Sequence, residues 1–293
     1  MRVSLGRRAF TVVNALFMVM MVFFCVVPFL HVLFASVSDP AYIAQRRGVI
    51  LFPVGINVEG YKLVLRNPNI VQGYLNTFFY TGVGTLISIA LTSLGAYVLS
   101  RQGVLWMPVL MKLITFTMFF SGGLIPFFLV VNGIGLMNTR WAVILPYAIS
   151  AWNLIIMRSS FKALPSSLEE SARIDGANDI VILVCIVLPL SLPVLSVMVL
   201  FYAINYWNSW FPAVIFLQRR NLFPLQLLLR EVLIQNDITK IAAIADLEEL
   251  ESEFYRDLTK YTTIMVATLP IIFVYPFLQK YFIKGLMVGS IKE

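Results

Sequence analysis

Six long apolar runs govern what this chain can fold into, at residues 10–34, 77–99, 110–131, 141–156, 180–206 and 261–282. A helix needs about 20 apolar residues to cross the hydrocarbon core of a bilayer, and in lipid every backbone polar group must find its partner within the protein. The expected fold class is therefore all-α integral membrane, with six transmembrane helices, of which the fourth is shortest. Composition agrees: 59% of residues are hydrophobic and 13% charged, against about 45–50% and about 25% in soluble domains. The first run exceeds the about 7–15 residues of a secretory signal core, and no small-residue cleavage site ends it cleanly, so it reads as a retained anchor.

The 22 Lys and Arg outnumber the 15 Asp and Glu, and they fall mostly in the connections. They act as topology signals rather than nucleic-acid contacts. Arg2, Arg7 and Arg8 place the amino terminus in the cytoplasm, and six spans return the carboxyl terminus, with Lys284 and Lys292, to the same side. Arg101, Arg158, Lys162 and Arg173 then fall in cytoplasmic loops, against Arg140 alone in the short external loop. Two external connections are long. The one before the last span carries the acidic residues Asp246, Glu248, Glu249, Glu251 and Glu253, an apolar block at 225–234, and a stretch at 238–255 that reads as an amphipathic helix. These are expected to be folded elements on which another protein docks. Cys25 and Cys185 lie in apolar runs, which argues against a disulfide framework or zinc cluster. One histidine, His31, excludes histidine-rich di-iron oxygenases and HExxH metalloproteases. A serine protease lacks its nucleophile motif here, and an ion channel lacks a filter sequence or charged ring.

The most informative stretch is LPSSLEESARIDGANDIVILVCIVLP at 164–189. Ser166 and Ser167 each precede a glutamate by three residues, Glu169 and Glu170, giving two overlapping capping boxes. Gly176 stands where a left-handed carboxyl cap would end the helix. The spacing predicts a short, separately capped helix near 166–177, with apolar Leu168, Ala172 and Ile174 and charged Glu169, Glu170, Arg173 and Asp175. Such an element suits insertion into another protein's groove.

Glu170, Ser171, Ala172, Gly176, Ile186, Leu188 and Pro189 match the EAA-x3-G-x9-I-x-LP signature at every spacing, with Ser171 in place of one alanine. In this the chain resembles the permease subunits of bacterial ABC importers, whose short helix couples to a cleft in an ATPase subunit. Asn76–Thr77, Ala96–Tyr97 with Ser100–Arg101, the run Asn205–Tyr206–Trp207–Asn208, and Lys280–Gly285 resemble the second, smaller permease of carbohydrate importers of the maltose type. The resemblance covers nearly the whole chain. It implies a type I importer transmembrane domain over 1–293, with an anchor at 10–34 and a permease core at 74–284. It also implies an inner-membrane location and a function in ATP-driven oligosaccharide uptake, in a branch for oligosaccharides or uronic-acid polymers such as alginate. The implied partners are a second unlike permease, two ATPase subunits that bind ATP and Mg, a periplasmic solute-binding protein, and membrane lipid, with no nucleic acid. The chain itself is expected to bind no cofactor or metal and to catalyse nothing. Uptake of another solute class, such as a phosphate ester, peptide or polyamine, is the alternative.

No acidic residue lies at mid-depth in a span, which argues against proton or sodium coupling. Lys112 sits near a span's cytoplasmic end, where it can snorkel. Tyr202, Asn205, Trp207 and Asn208 near the end of the fifth run offer either a sugar path or bonds between helices, and Asn153 is a weaker candidate. Pro189 and Pro193 predict a kink in the fifth span. Gly122 and Gly123 in the third allow either close helix approach or a break.

Overall fold

The computed structural model describes residues 5–45, 48–101, 103, 105–235 and 258–273. Among them there are helices and no strands. α1 (Leu5–Ser36) and α4 (Pro68–Ser100) are each long and apolar enough to span alone. Between them α2 (Pro40–Gln45) and α3 (Glu59–Arg66) form part of the connection expected to be folded. Three further apolar segments are bent pairs: α5 (Met107–Phe119) with α6 (Leu124–Gly133) at 116°, α7 (Trp141–Tyr147) with α8 (Ala151–Lys162) at 49°, and α10 (Asp179–Leu190) with α11 (Leu192–Trp207) at 88°. The short helix α9 (Ser166–Ile174) lies between α8 and α10, and α12 (Trp210–Phe216) and α13 (Leu225–Gln235) follow α11. α14 (Leu258–Phe273) is a sixth apolar helix, and the remainder of the sixth expected span, with Lys280–Gly285, falls outside the described residues. So do the acidic run from Asp246 to Glu253 and the whole of the stretch at 238–255 expected to be an amphipathic helix.

The breaks have physical causes. Gly123 takes φ +83 between α5 and α6, a left-handed conformation that favours glycine, so the Gly122–Gly123 pair makes a break. In α10, Leu183–Val187 winds as a π-turn just before Pro189, which has no amide to donate. Pro193 follows in the first turn of α11, and the 88° bend falls between the two prolines. α4 starts at Pro68, nine residues before the apolar run, because proline suits the first helical turn. Its 33 residues span about 50 Å, more than the about 30 Å hydrocarbon core requires.

The described chain divides into two compact units, 1–70 with 229–270 and 71–228 with 271–293. In the first, Ala35, Ile43, Ile50 and Leu258 are buried together. The His31 Nδ1 accepts a hydrogen bond from the Ile50 amide at 2.9 Å, and its ring meets Tyr261 edge-on, so His31 is a packing residue. Gly60 lies against Leu258 and Thr262, leaving no room for a Cβ.

In the second unit, two tyrosines one turn apart on α11 fasten three helices. Tyr202 bonds Thr92 at 2.7 Å and Tyr206 bonds Ser88 at 3.0 Å, both on α4. Tyr202 also accepts from the Ser150 amide, and Tyr206 donates to the Ile144 carbonyl, so backbone groups around the α7–α8 break are satisfied by side chains. Gly84 makes space for the Tyr206 ring, which a Cβ there would approach to 2.8 Å. Gly95 faces Leu154, whereas Gly82 has nothing within 4 Å. Asn76 donates to the carbonyls of Asn221 and Phe223, and Thr77 accepts from the Leu225 amide. The Asn76–Thr77 pair thus pins the turn before α13 to α4.

Candidate functional site

α9 and its surroundings form the first candidate site. The helix ends in a Schellman motif: the Ala177 amide donates to the Ala172 carbonyl at 2.9 Å, and the Gly176 amide to Arg173 at 3.1 Å. Gly176 has φ +85, as its position in the sequence predicts. The start differs from expectation. Pro165 occupies the N-cap and no side chain caps the helix, so neither capping box forms. Ser166 and Ser167 fall inside the first turn, so neither holds the N-cap position that a capping box requires, and Glu169 pairs with Arg101 instead.

Glu169 is buried and ion-paired with Arg101 at the end of α4. Arg101 also lies over the Tyr97 ring, 4.2 Å from its centroid, and burial lowers its pKa from the ordinary value. Tyr97 bonds Asp179 at 3.3 Å, and Asp179 pairs with Arg173 of α9. Arg158 donates to the Leu99 carbonyl at 2.7 Å. Tyr97 and Arg101, one turn apart, therefore hold both the inner face of α9 and the start of α10. Ala172 completes the buried face against the core around Tyr97, Phe161 and Leu183. Glu170, Ser171, Asp175 and Gly176 remain exposed, as do Leu168 and Ile174, the last at 86%. Adjacent glutamates have opposite environments: Glu169 anchors the helix and Glu170 faces outward. The sequence does not separate them, because Arg101 lies 68 positions from Glu169 and only the fold joins the pair.

The second candidate is a cleft of about 560 Å³ beside the α7–α8 break. Its wall includes Tyr147, Trp152, Asn153, Phe201, Tyr202 and Asn205. Asn153 is buried and Asn205 exposed, and among the described residues neither side-chain amide has a hydrogen-bond partner. Of the four path residues expected from sequence, Tyr202 and Asn205 reach this cleft. Trp207 does not: it is buried edge-on against Phe78. Asn208 turns back to bond the Ile204 carbonyl at 3.0 Å. Positions 202 and 206 face α4 and 205 faces the cleft, so the helical phase separates residues adjacent in sequence. Tyr147, Trp152 and Phe201 are wall residues that sequence reasoning missed; the signal for Trp152 is its place one residue into α8, directly after the break.

These two sites occur in a chain whose residues 3–288 match the family model for the binding-protein-dependent transport system inner membrane component. The chain belongs to this family. Similar proteins of Bacillus subtilis (strain 168) include the polygalacturonan/rhamnogalacturonan transport system permease protein YtcP, 42% identical over 281 residues, covering 94% of this chain and 96% of that one. Protein LplC is 40% identical over 285 residues, covering 97% and 95%. A crystal structure of a bacterial ABC transporter involved in the import of the acidic polysaccharide alginate contains a chain that matches with a TM-score of 0.87. That chain is 32% identical, and the match covers 96% of this chain and 99% of that one. As an inner-membrane transport component, this permease has the type I importer fold expected from its EAA-like loop. No group of three or more metal-ligating side chains occurs among its described residues.

Proposed function

We propose that this chain is one permease subunit of an ATP-driven importer for oligosaccharides, in particular fragments of uronate-containing polysaccharides. A binding protein outside the membrane delivers the sugar, a second, unlike permease completes the pathway, and two ATPase subunits bind ATP and Mg and carry out hydrolysis. This chain performs no covalent chemistry. It works as one permease domain over 1–293, with residues 10–34 as an anchor and 74–284 as the core. Both termini face the cytoplasm, with Arg101, Arg158, Lys162 and Arg173 on the same side.

The observation that carries this reading is α9, a nine-residue helix closed by its own cap, held to α4 through Glu169 and presenting Glu170 outward. An isolated helix of this length is unstable in water, so its geometry depends on those anchors. Glu170, Ser171, Asp175 and Gly176 form the face offered to the ATPase, and Glu169, Ala172 and Arg173 set the angle at which it is offered. The carbohydrate names of the relatives favour a sugar over a phosphate ester, peptide or polyamine. A cleft wall that has no carboxylate or cation among the described residues also favours a neutral polar ligand group.

The test is reconstitution of the complete complex in proteoliposomes with its binding protein, followed by ATPase and uptake assays on a panel of saccharides. Saccharide-dependent stimulation, lost on Glu170→Lys with the permease still in the membrane, is the expected result. Uptake by the isolated chain without ATPase subunits would refute the reading.

A further inference from the structure

The cleft beside the α7–α8 break is more specific than a general path. We propose that it is a subsite for one pyranose ring, held by its hydroxyls and its apolar face, and that it takes no part in recognising charge. This rests on the transport reading above and extends it by assigning the sugar contact to this chain, at Trp152, Asn153 and Asn205.

A volume of about 560 Å³ lies within the about 300–1,000 Å³ usual for small-molecule sites. Asn153 is 6% exposed, and its amide has no partner among the described residues. The Asn153 amide is not sealed in the core but lines the cleft, and an unpartnered amide there, like that of Asn205, is unfavourable against lipid tails. Both amides are relieved if the cleft holds water or a ligand rich in hydroxyls. Amides suit a sugar because each offers two donors and an acceptor, matching vicinal hydroxyls that both donate and accept.

Trp152 supplies the second element of recognition. Its side chain is 60% exposed, although it stands inside an apolar span, with Tyr147 and Phe201 also on the wall. The negative face of an indole ring attracts the weakly positive C–H groups on one face of a pyranose, so a ring can stack while its edge hydroxyls reach the amides. Among the described residues, no Asp, Glu, Lys, Arg or His lines the cleft. A carboxylate placed there would lose its hydration without gaining a cation. In a uronate substrate that group therefore points out of the cleft, and whatever reads it lies beyond this wall.

The experiment uses the complete complex in proteoliposomes with saturating binding protein, measuring uptake of trigalacturonate and of its methyl-esterified form, in which the carboxylates are neutral. Trp152→Ala and Asn205→Leu are each expected to lower uptake about tenfold, the worth of one or two lost contacts, and by the same factor for both substrates. Trp152→Phe, which keeps an aromatic face, is expected to retain most uptake. Asn205 is exposed, so Asn205→Leu carries the test if Trp152→Ala assembles poorly, as judged by subunit co-purification. Wild-type uptake in Asn205→Leu would mean that lipid or an apolar helix covers the cleft, and would overturn the proposal. A loss confined to the charged substrate would overturn the neutral assignment. No uptake of either substrate by the wild-type complex would instead refute the saccharide reading, and the subsite with it.

Discussion

Replacing Gly176 by valine tests the proposed coupling role of α9 through its backbone alone. A Cβ at this position meets nothing within 4 Å, so the substitution introduces no clash with neighbouring groups. What it changes is the cost of holding φ at +85. An L-residue pays about 1–2 kcal/mol for the left-handed conformation, and a β-branched side chain falls at the upper end. If the turn relaxes, the Ala177–Ala172 and Gly176–Arg173 hydrogen bonds are lost as well. A strain of about 2 kcal/mol shifts the balance between the capped helix and an unwound loop by about thirtyfold. The spans are untouched, so insertion in the membrane is expected to be normal. The assay is retention of ATPase subunits through size-exclusion chromatography, together with saccharide-stimulated ATPase activity. Valine should reduce both, alanine should fall between, and asparagine, which tolerates the left-handed region, should stay near wild type. Equal activity for valine, alanine and glycine would refute the argument that this cap sets the docking angle.

The two adjacent glutamates should separate cleanly. Glu169→Gln leaves Arg101 without its charged partner and is expected to cost about 3 kcal/mol of local stability, seen as a lower melting temperature of the isolated permease. Glu170→Lys should leave that temperature unchanged and abolish ATPase-subunit co-purification. Gly84→Ala should destabilise the permease by about 1–3 kcal/mol through overpacking against Tyr206, while Gly82→Ala, with open space around it, should be neutral or slightly stabilising in thermal melts. Neutralising Glu248, Glu249 and Glu251 together is expected to weaken stimulation by the binding protein at low salt, with little change at high salt, where such charges are screened.

Much of the fold was legible because lipid leaves few options. Run length alone located the apolar segments, and prolines and glycines marked two of the three bends. The α7–α8 break does have a local signal, Pro146 in the tight turn Leu145–Tyr147 that ends α7, which the reading by apolar run length passes over; what closes the break is not local, since hydroxyls from Tyr202 and Tyr206, more than 50 positions away, satisfy the backbone there. The end of α9 was readable, since a left-handed cap is a local requirement for glycine. Its start was not, because the role of Glu169 depends on Arg101 across the fold. The same limit separates Asn205 from Trp207. Both sit in one polar-aromatic run, and only the packing of α11 on α4 shows that the tryptophan is enclosed while the asparagine opens to the cleft.

The two short motifs near either end of α4 acquire a mechanical meaning from its continuity. At one end Asn76 and Thr77 bolt the helix to the turn before α13; at the other Tyr97 and Arg101 bolt it to α9 and the head of α10. Between these fastenings runs an uninterrupted helix without an internal proline, a stiff rod in a molecule whose other paired helices are jointed. A rod does not absorb a push at one end. If α9 is displaced so that α4 rocks by about 5° about Asn76, Ser88 and Thr92, about 18 and 24 Å along its axis, move by about 1.6 and 2.1 Å, enough to take their hydroxyl contacts with Tyr206 and Tyr202 out of hydrogen-bonding range. The jointed helices can then rearrange around a beam that delivers the stroke undiminished.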